Sequence, residues 1–242
     1  MRTAEWAPEP PVMSERDAEG YRFERKYHIT DLPTGEVDAW VRRNPLLFRE
    51  PYPSRTINNI YLDTPGRRSL FENYDGIADR VKARIRWYGP AFGEVKRPVL
   101  EFKIKRGMVG AKQAYDVVPF TVEQGMGAAE VRRALEASNL PPEVLRHLRD
   151  FEPVLMNRYQ RKYFISADGH YRLTLDWNLE FYRFDRHMNG FSSRVIDRRS
   201  TVLELKYSGD IDQIDDRVSG HFPFRVTRMS KFVTGMQAVE IA

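Results

Sequence analysis

RVKARIRWY, residues 80–88, decides the fold of this 242-residue chain. Arg80, Lys82, Arg84 and Arg86 share one parity, and Val81, Ala83, Ile85 and Trp87 share the other. Alternation with a period of two is the pattern of a β-strand with one face in a core. A solvated sheet face is the plainest home for the charged side. Such a face usually mixes signs, whereas this one is wholly positive. Like charges side by side repel, so the pattern favours a concave, barrel-like surface whose cations are offset by a bound polyanion.

Working outward, the chain repeats itself. YRFERKYHI at 21–29 returns as NRYQRKYFI at 157–165, and LEFKIK at 100–105 returns as LELKYS at 203–208. Two similar halves, each ending in a strand with a Glu-x-Lys pattern, predict one closed or nearly closed antiparallel structure. The regular strand–helix–strand spacing of separate α/β domains is absent. The fold class expected is α+β, mainly antiparallel β, with flanking helices.

The remaining segments fit that frame. Residues 1–20, acidic and containing Pro8, Pro10 and Pro11, read as a flexible arm before a domain spanning 21–242. Residues 21–29 form a strand with Arg22, Glu24 and Lys26 on one face. A helix is expected from 34, ending before Pro45. INNIYLDT (57–64) is a strand turned by Pro65-Gly66, and 99–106 alternates Leu100, Phe102 and Ile104 against Glu101, Lys103 and Lys105. From about 121 to 149 the pattern turns helical, with Glu130–Ala137 one helix and Pro141-Pro142 opening another. Strands follow at 154–165, 171–182 and 201–207, the last stopped by Ser208-Gly209-Asp210. FRVTRMSKFVTGM (224–236) reads as a strand running into a short helix.

Composition excludes several classes. There is no cysteine, hence no disulfide and no thiolate metal site. Neither a membrane-length apolar run nor a signal segment is evident, which makes a cytoplasmic protein the expectation. A membrane partner stays compatible with this. The net charge is only +5, but residues 80–106 hold nine Lys or Arg, two Glu and no Asp. No phosphate-binding glycine loop, dinucleotide fingerprint or metal-spaced histidine set occurs. Gly107 and Gly110 read as turn residues. Without a basic amphipathic helix or an aromatic RNA-binding strand, sequence-specific nucleic acid is not an expected partner.

Candidate site residues follow from parity. Arg84 and Arg86 lie about 6–7 Å apart along one face, a spacing that suits adjacent phosphoryl groups held by guanidinium forks. Lys26, Lys103 and Lys105 add cations from other strands. Glu24, Glu101 and Glu204 face the same interior. Glu204, with Lys206 two positions on and Asp176 upstream, is the best metal ligand, because Mg²⁺ or Mn²⁺ among phosphates needs only one or two carboxylates. In the second half, parity separates Arg161 and Tyr159 from Arg158 and Lys162. Arg172 shares a face with Thr174 and Asp176. Arg228, Ser230 and Lys231 are placed to close one mouth.

Taken together, ERKYHI, YLDT, RVKARIRWY, LEFKIKRG, NRYQRKYFI–RLTLDWN, LELKYSG and the terminal MSKF resemble the VTC (vacuolar transporter chaperone) domain. This is the polyphosphate polymerase branch of the triphosphate tunnel metalloenzymes. The resemblance covers roughly residues 21–235. It implies a closed antiparallel β-tunnel, Mn²⁺ or Mg²⁺ as cofactor, and transfer of the terminal phosphoryl group of ATP onto polyphosphate. By motif, Lys26, Arg84, Arg86 and Lys103 would line the tunnel, and Tyr159, Arg161 and Arg172 would continue it. Glu204, with Glu24 beside it, would hold metal. Lys206, Arg228, Ser230 and Lys231 would contact phosphate or product. Hydrolysis of inorganic triphosphate or a nucleoside triphosphate, and non-catalytic polyphosphate binding, use the same residues. One departure stands out: the superfamily's opening Glu-x-Glu-x-Lys strand is Arg22-x-Glu24-x-Lys26 here. It reduces metal-binding capacity and disfavours adenylate cyclase and thiamine triphosphatase chemistry.

Overall fold

The strand expected at 80–88 forms with those bounds, and the sheet is built around it. The computed structural model describes residues 22–106, 109–208 and 218–241. The arm at 1–20, the turn at Gly107 and the stop at Gly209-Asp210 lie outside the described residues. Eleven strands are present among them: β1 (Arg22–Ile29), β2 (Arg55–Asp63), β3 (Arg80–Tyr88), β4 (Gly93–Val95), β5 (Val99–Arg106), β6 (Val109–Asp116), β7 (Phe120–Val122), β8 (Glu152–Ile165), β9 (Tyr171–Arg183), β10 (Arg194–Asp197) and β11 (Thr201–Ser208). Five helices accompany them: α1 (Thr34–Arg43), α2 (Arg68–Tyr74), α3 (Ala128–Glu136), α4 (Pro142–Leu148) and α5 (Lys231–Ile241).

The main sheet runs β1-β11-β9-β8-β2-β3-β5-β6, antiparallel throughout, with β10 added to β9 and a separate β4–β7 hairpin. It curls through about 190° into a half-barrel. The closed tunnel expected from the resemblance is therefore not completed by backbone pairing: β1 and β6 are edges among the described residues. The curl is helped by bulges, which bend the bulged strand and raise its twist. One lies between Tyr61 and Leu62, the other at Arg158/Gln160 opposite Asn178, whose φ is 51°. At the second, parity switches on β9. Asp176 and then Leu179 and Phe181 all turn to the inside.

Three apolar clusters hold this shape. Outside β3 and β5, Ile85, Trp87, Leu100 and Phe102 pack against Val131 and Leu135 of α3 and Val144 and Leu148 of α4. Outside β1, β11 and β9, Tyr27, Leu173, Leu175, Leu203 and Leu205 are covered by Val37 and Val41 of α1. The third cluster plugs the inside, where α5 brings Phe232, Met236 and Val239 against Tyr61, Leu155, Tyr159 and Phe181. Phe232 stacks on Tyr61 at 4.9 Å. Gly235 makes this approach feasible, since a Cβ there would stand 2.4 Å from Phe181 Cδ1 and 2.7 Å from Leu155 Cδ2.

Several local expectations change. Residues 121 and 122, read at the start of the helical region, belong to β7. Gly110, read as a turn residue, lies within β6 and pairs with Lys105. The Pro65-Gly66 turn leads directly into α2, which had no periodic signal. Buried Asp63 caps it, accepting from the Ser69 and Leu70 N–H groups at 2.8 and 3.0 Å. Asp63 thus satisfies two of the first-turn N–H groups that a helix leaves without partners.

Candidate active site

Each wall of the half-barrel carries one buried carboxylate that holds more cations than it can neutralise. On the β3–β5 wall, Glu101 stands directly opposite Arg84 in the ladder. Arg84 Nε and Nη2 donate to Glu101 Oε2 at 2.9 and 2.7 Å, Arg86 Nη1 approaches it at 3.5 Å, and Lys112 Nζ lies 2.6 Å from Oε1. Arg86 Nε also donates to Asn59 Oδ1 at 2.9 Å, and Asn59 is fixed in turn by Asn157. Glu101 is only 5% exposed. Burial alone would push its carboxyl upward, but Arg84 and Arg86 outweigh it and hold the pKa at about 2.

On the β8–β9 wall the same logic recurs with Asp176, which is fully buried. Arg161 donates to both its oxygens, at 2.5 and 2.7 Å, and Lys231 Nζ from the start of α5 lies 2.5 Å from Oδ2. Both cations also sit over the Tyr159 ring, at 5.3 Å and 4.8 Å. Burial raises the Asp176 carboxyl, yet Arg161 and Lys231 prevail and keep it below the usual range. Burial likewise raises the Tyr159 hydroxyl, and the nearby Arg161 and Arg86 reverse the direction. Arg86 Nη2 reaches Tyr159 Oη at 3.5 Å, linking the two walls.

A third cluster spans the gap between the sheet's ends. Lys26 lies 2.5 Å from Glu24 and 3.8 Å from Glu204, Lys206 lies 2.9 Å from Glu204, and Lys103 of β5 reaches Glu24 of β1 at 3.2 Å. Side chains thus close across a gap the backbone leaves open. Glu204 is nearly buried, and although burial raises its carboxyl, Lys26, Lys206 and Arg161 hold it well below the ordinary range.

Among the described residues no group of three or more acidic or histidine side chains forms a metal cage. Glu24 and Glu204 share Lys26 and feel each other's charge. That donor set fits an oxygen-loving divalent cation which takes two carboxylates and completes its shell from phosphate oxygens and water. Such an ion would compete with Lys26 and Lys206 for those carboxylates.

Lys82 is the residue that sequence reasoning left out of the site. Its ammonium donates to Ser230 Oγ at 3.1 Å and meets no carboxylate among the described residues. Burial, then repulsion from Lys26, Lys103, Arg80 and Arg84, drives its pKa well below the usual lysine value. Lys112, on an edge strand whose pattern did not announce it, was missed too. The signal available for Lys82 was its parity with Arg84 and Arg86.

The expected residues therefore converge. Lys26, Arg84, Arg86, Lys103, Arg161, Lys206, Lys231, Tyr159, Ser230, Glu24 and Glu204 all belong to the three linked clusters. With Lys82 and Lys112 added, nine basic side chains face four carboxylates. Arg172 stands exposed opposite Lys206 in the ladder, and Arg228 is exposed ahead of α5. Arg158 and Lys162 point elsewhere, to Glu180 and to Asp38, as parity required. His147 packs between Phe102 and Phe151, a core histidine. A lumen of this kind can grip several consecutive phosphoryl groups, because each carboxylate orients its cations without cancelling them.

The VTC domain family model matches residues 21–240. Among solved structures, the chain is similar to a candidate adenylyl cyclase from Hippeastrum with a dominant triphosphatase activity, at 15% identity and a TM-score of 0.52 over 88% of this chain and 94% of that one. A protein from Pyrococcus horikoshii OT3 is similar at 11% identity and a TM-score of 0.47, covering 89% and 99% of the two chains. A candidate adenylate cyclase from Vibrio parahaemolyticus is similar at 14% identity and a TM-score of 0.42, covering 82% of each. The Hippeastrum likeness is one of fold. A search of curated proteins returned no match. No helix among the described residues is long and apolar enough to cross a membrane.

Proposed function

The chain belongs to the VTC domain family, and on that premise we propose that it extends inorganic polyphosphate with the terminal phosphoryl group of ATP. One observation carries the reading: Glu101 and Asp176, on facing walls, each orient an excess of cations into a lumen plugged at one end by α5. Arg84 and Arg86 would hold the β- and γ-phosphates of the donor. Lys82 and Lys103, beyond Arg84 on the side away from Arg86, would hold the end of the acceptor chain in line with them, and Arg161 and Lys231 would add charge beside the donor. A bound polyanion, spanning from Arg84 to Lys231, would draw the two walls into a complete tunnel.

An acceptor phosphate oxygen attacks the γ-phosphorus, the bond from that phosphorus to the β–γ bridging oxygen breaks, and ADP leaves with the electron pair. The nucleophile is already anionic, so no base is required, and rate enhancement comes from positioning and charge stabilisation. A divalent cation held by Glu24 and Glu204 would offset charge on the phosphates. Transfer to water is less well served by the two wall carboxylates. Hydrolysis is helped by a base for the incoming water, and Glu101, at about 2, and Asp176 are both engaged by cations and weakly basic.

The test is incubation of purified protein with ATP and Mn²⁺, with products resolved by gel and phosphorus NMR beside Arg84→Ala. A polyphosphate ladder missing from the variant is the expected result. Free phosphate as the sole product would replace the polymerase reading with a triphosphatase. Binding of polyphosphate without turnover would replace it with a binding module.

A further inference from the structure

Beyond the last phosphate-facing arginine on each wall, the next side chain of the same parity is a tyrosine: Tyr88 follows Arg86 on β3, and Tyr163 follows Arg161 on β8. Arg55 of β2 lies between them, opposite Arg161 in the ladder. Its guanidinium sits over the Tyr52 ring at 4.8 Å and the Tyr88 ring at 5.8 Å. Tyr52 and Tyr163 meet at 4.8 Å between centroids, and Arg161 stands 5.9 Å over Tyr163. Three rings and one guanidinium thus form a cluster continuous with the phosphate cations through Arg161.

Three features distinguish this cluster from a loop staple. Tyr52 and Tyr88 leave 41% and 51% of their surface exposed, although Tyr88 occupies a lumen-facing parity. Arg55 is exposed and forms no ion pair with a carboxylate among the described residues, while its directly opposite neighbour is another arginine. Such a pair repels, and Asp176, the carboxylate that Arg161 meets, is shared between Arg161 and Lys231. Finally, each tyrosine lies two strand residues beyond a phosphate arginine, roughly 7 Å further along the wall. That is the direction in which the α-phosphate and ribose of a nucleotide would carry its base.

We infer that Tyr52, Arg55, Tyr88 and Tyr163 form a nucleobase subsite that holds the ring of the nucleoside triphosphate donor. The inference rests on the phosphate-site reading above. Ring faces supply stacking that is tolerant of base identity, because every base has a π-face. Arg55 adds a guanidinium plane and a charge for the α-phosphate. ATP and GTP are therefore expected to bind alike, and both better than inorganic triphosphate.

The test is calorimetric titration of the full chain with ATP and, separately, with inorganic triphosphate. Tyr88→Ala is expected to weaken ATP about tenfold, the order for loss of one stacked base, and to leave inorganic triphosphate within twofold. Tyr88→Phe, which keeps the ring, retains ATP affinity. Equal losses for both ligands overturn the subsite, since the tyrosine would then only shape the phosphate lumen. So does an unchanged ATP affinity in Tyr88→Ala. If the wild type binds no inorganic triphosphate, the phosphate-site reading itself fails and takes the subsite with it.

Discussion

Asp176→Asn tests the charge logic of the lumen most directly. The substitution keeps size and shape, so it opens no cavity. It does remove the counter-charge from Arg161 and Lys231, whose side chains are only 13% and 10% exposed. Breaking a buried ion pair from one side costs about 3–5 kcal/mol, because the remaining charge stays desolvated. In a chain of this length each kcal/mol moves the melting temperature by about 2–4 °C, so a drop of roughly 6–20 °C is expected in phosphate-free buffer. Urea unfolding at neutral pH should show the same loss as a lower midpoint with an unchanged slope. Inorganic triphosphate should then raise the melting temperature of the variant by more than that of the wild type, since the ligand supplies the missing counter-ion. A loss under about 1 kcal/mol, or equal ligand stabilisation of both proteins, would refute the reasoning.

Other consequences are as specific. Glu101 moves from an ordinary value near 4.5 when unfolded to about 2 when folded, a depressed carboxylate. Its contribution, about 3 kcal/mol, is present in full above pH ~4.5 and is lost as pH falls toward 2. Acid titrations of wild type and Glu101→Gln should therefore converge as pH falls to about 2, and parallel curves would contradict the assignment. Gly235→Ala drives a methyl into Phe181 and Leu155. A cost of about 1–3 kcal/mol is expected by urea unfolding, with weaker triphosphate binding as Lys231 shifts; unaltered binding would separate α5 from the site. Lys82→Met removes a half-buried amine flanked by four cations. The ligand-free protein should melt higher, while triphosphate affinity falls about tenfold, the value of one charge-assisted hydrogen bond. Unchanged affinity would place Lys82 outside the site.

Much of this was legible because parity in a strand is a physical constraint. RVKARIRWY could bury Ala83, Ile85 and Trp87 only by turning Lys82, Arg84 and Arg86 the other way, and the structure does so. The internal repeat had a structural meaning as well. LEFKIK and LELKYS become β5 and β11; β5 pairs with β3, which carries Arg84 and Arg86, β11 pairs with β9, which carries Asp176, and they present Glu101 and Glu204 to one lumen. What stayed hidden depends on contacts distant in sequence. The bulge at Asn178 adds a residue and breaks parity on β9, and nothing in LTLDWNLEF marks it. VGAKQAYD has too few apolar residues to read as a strand, because β6 is an edge and needs only one buried neighbour. Lys112 therefore went unnoticed, although it completes the Glu101 cluster.

The site was least legible in its pairings. Sequence parity names the side chains that face inward but is silent on which carboxylate each cation meets, and that pairing decides the chemistry. Had Glu101 and Asp176 each met one arginine, the lumen would be a set of neutral ion pairs with little attraction for phosphate. Glu101 instead meets Arg84, Arg86 and Lys112, Asp176 meets Arg161 and Lys231, and Lys82 meets no acid at all among the described residues. Each carboxylate orients its cations and leaves charge over. The sheet's two ends meet through Lys103 and Glu24 rather than through a backbone ladder. A polyanion would supply the absent counter-charge, so affinity for phosphate and closure of the half-barrel should rise together.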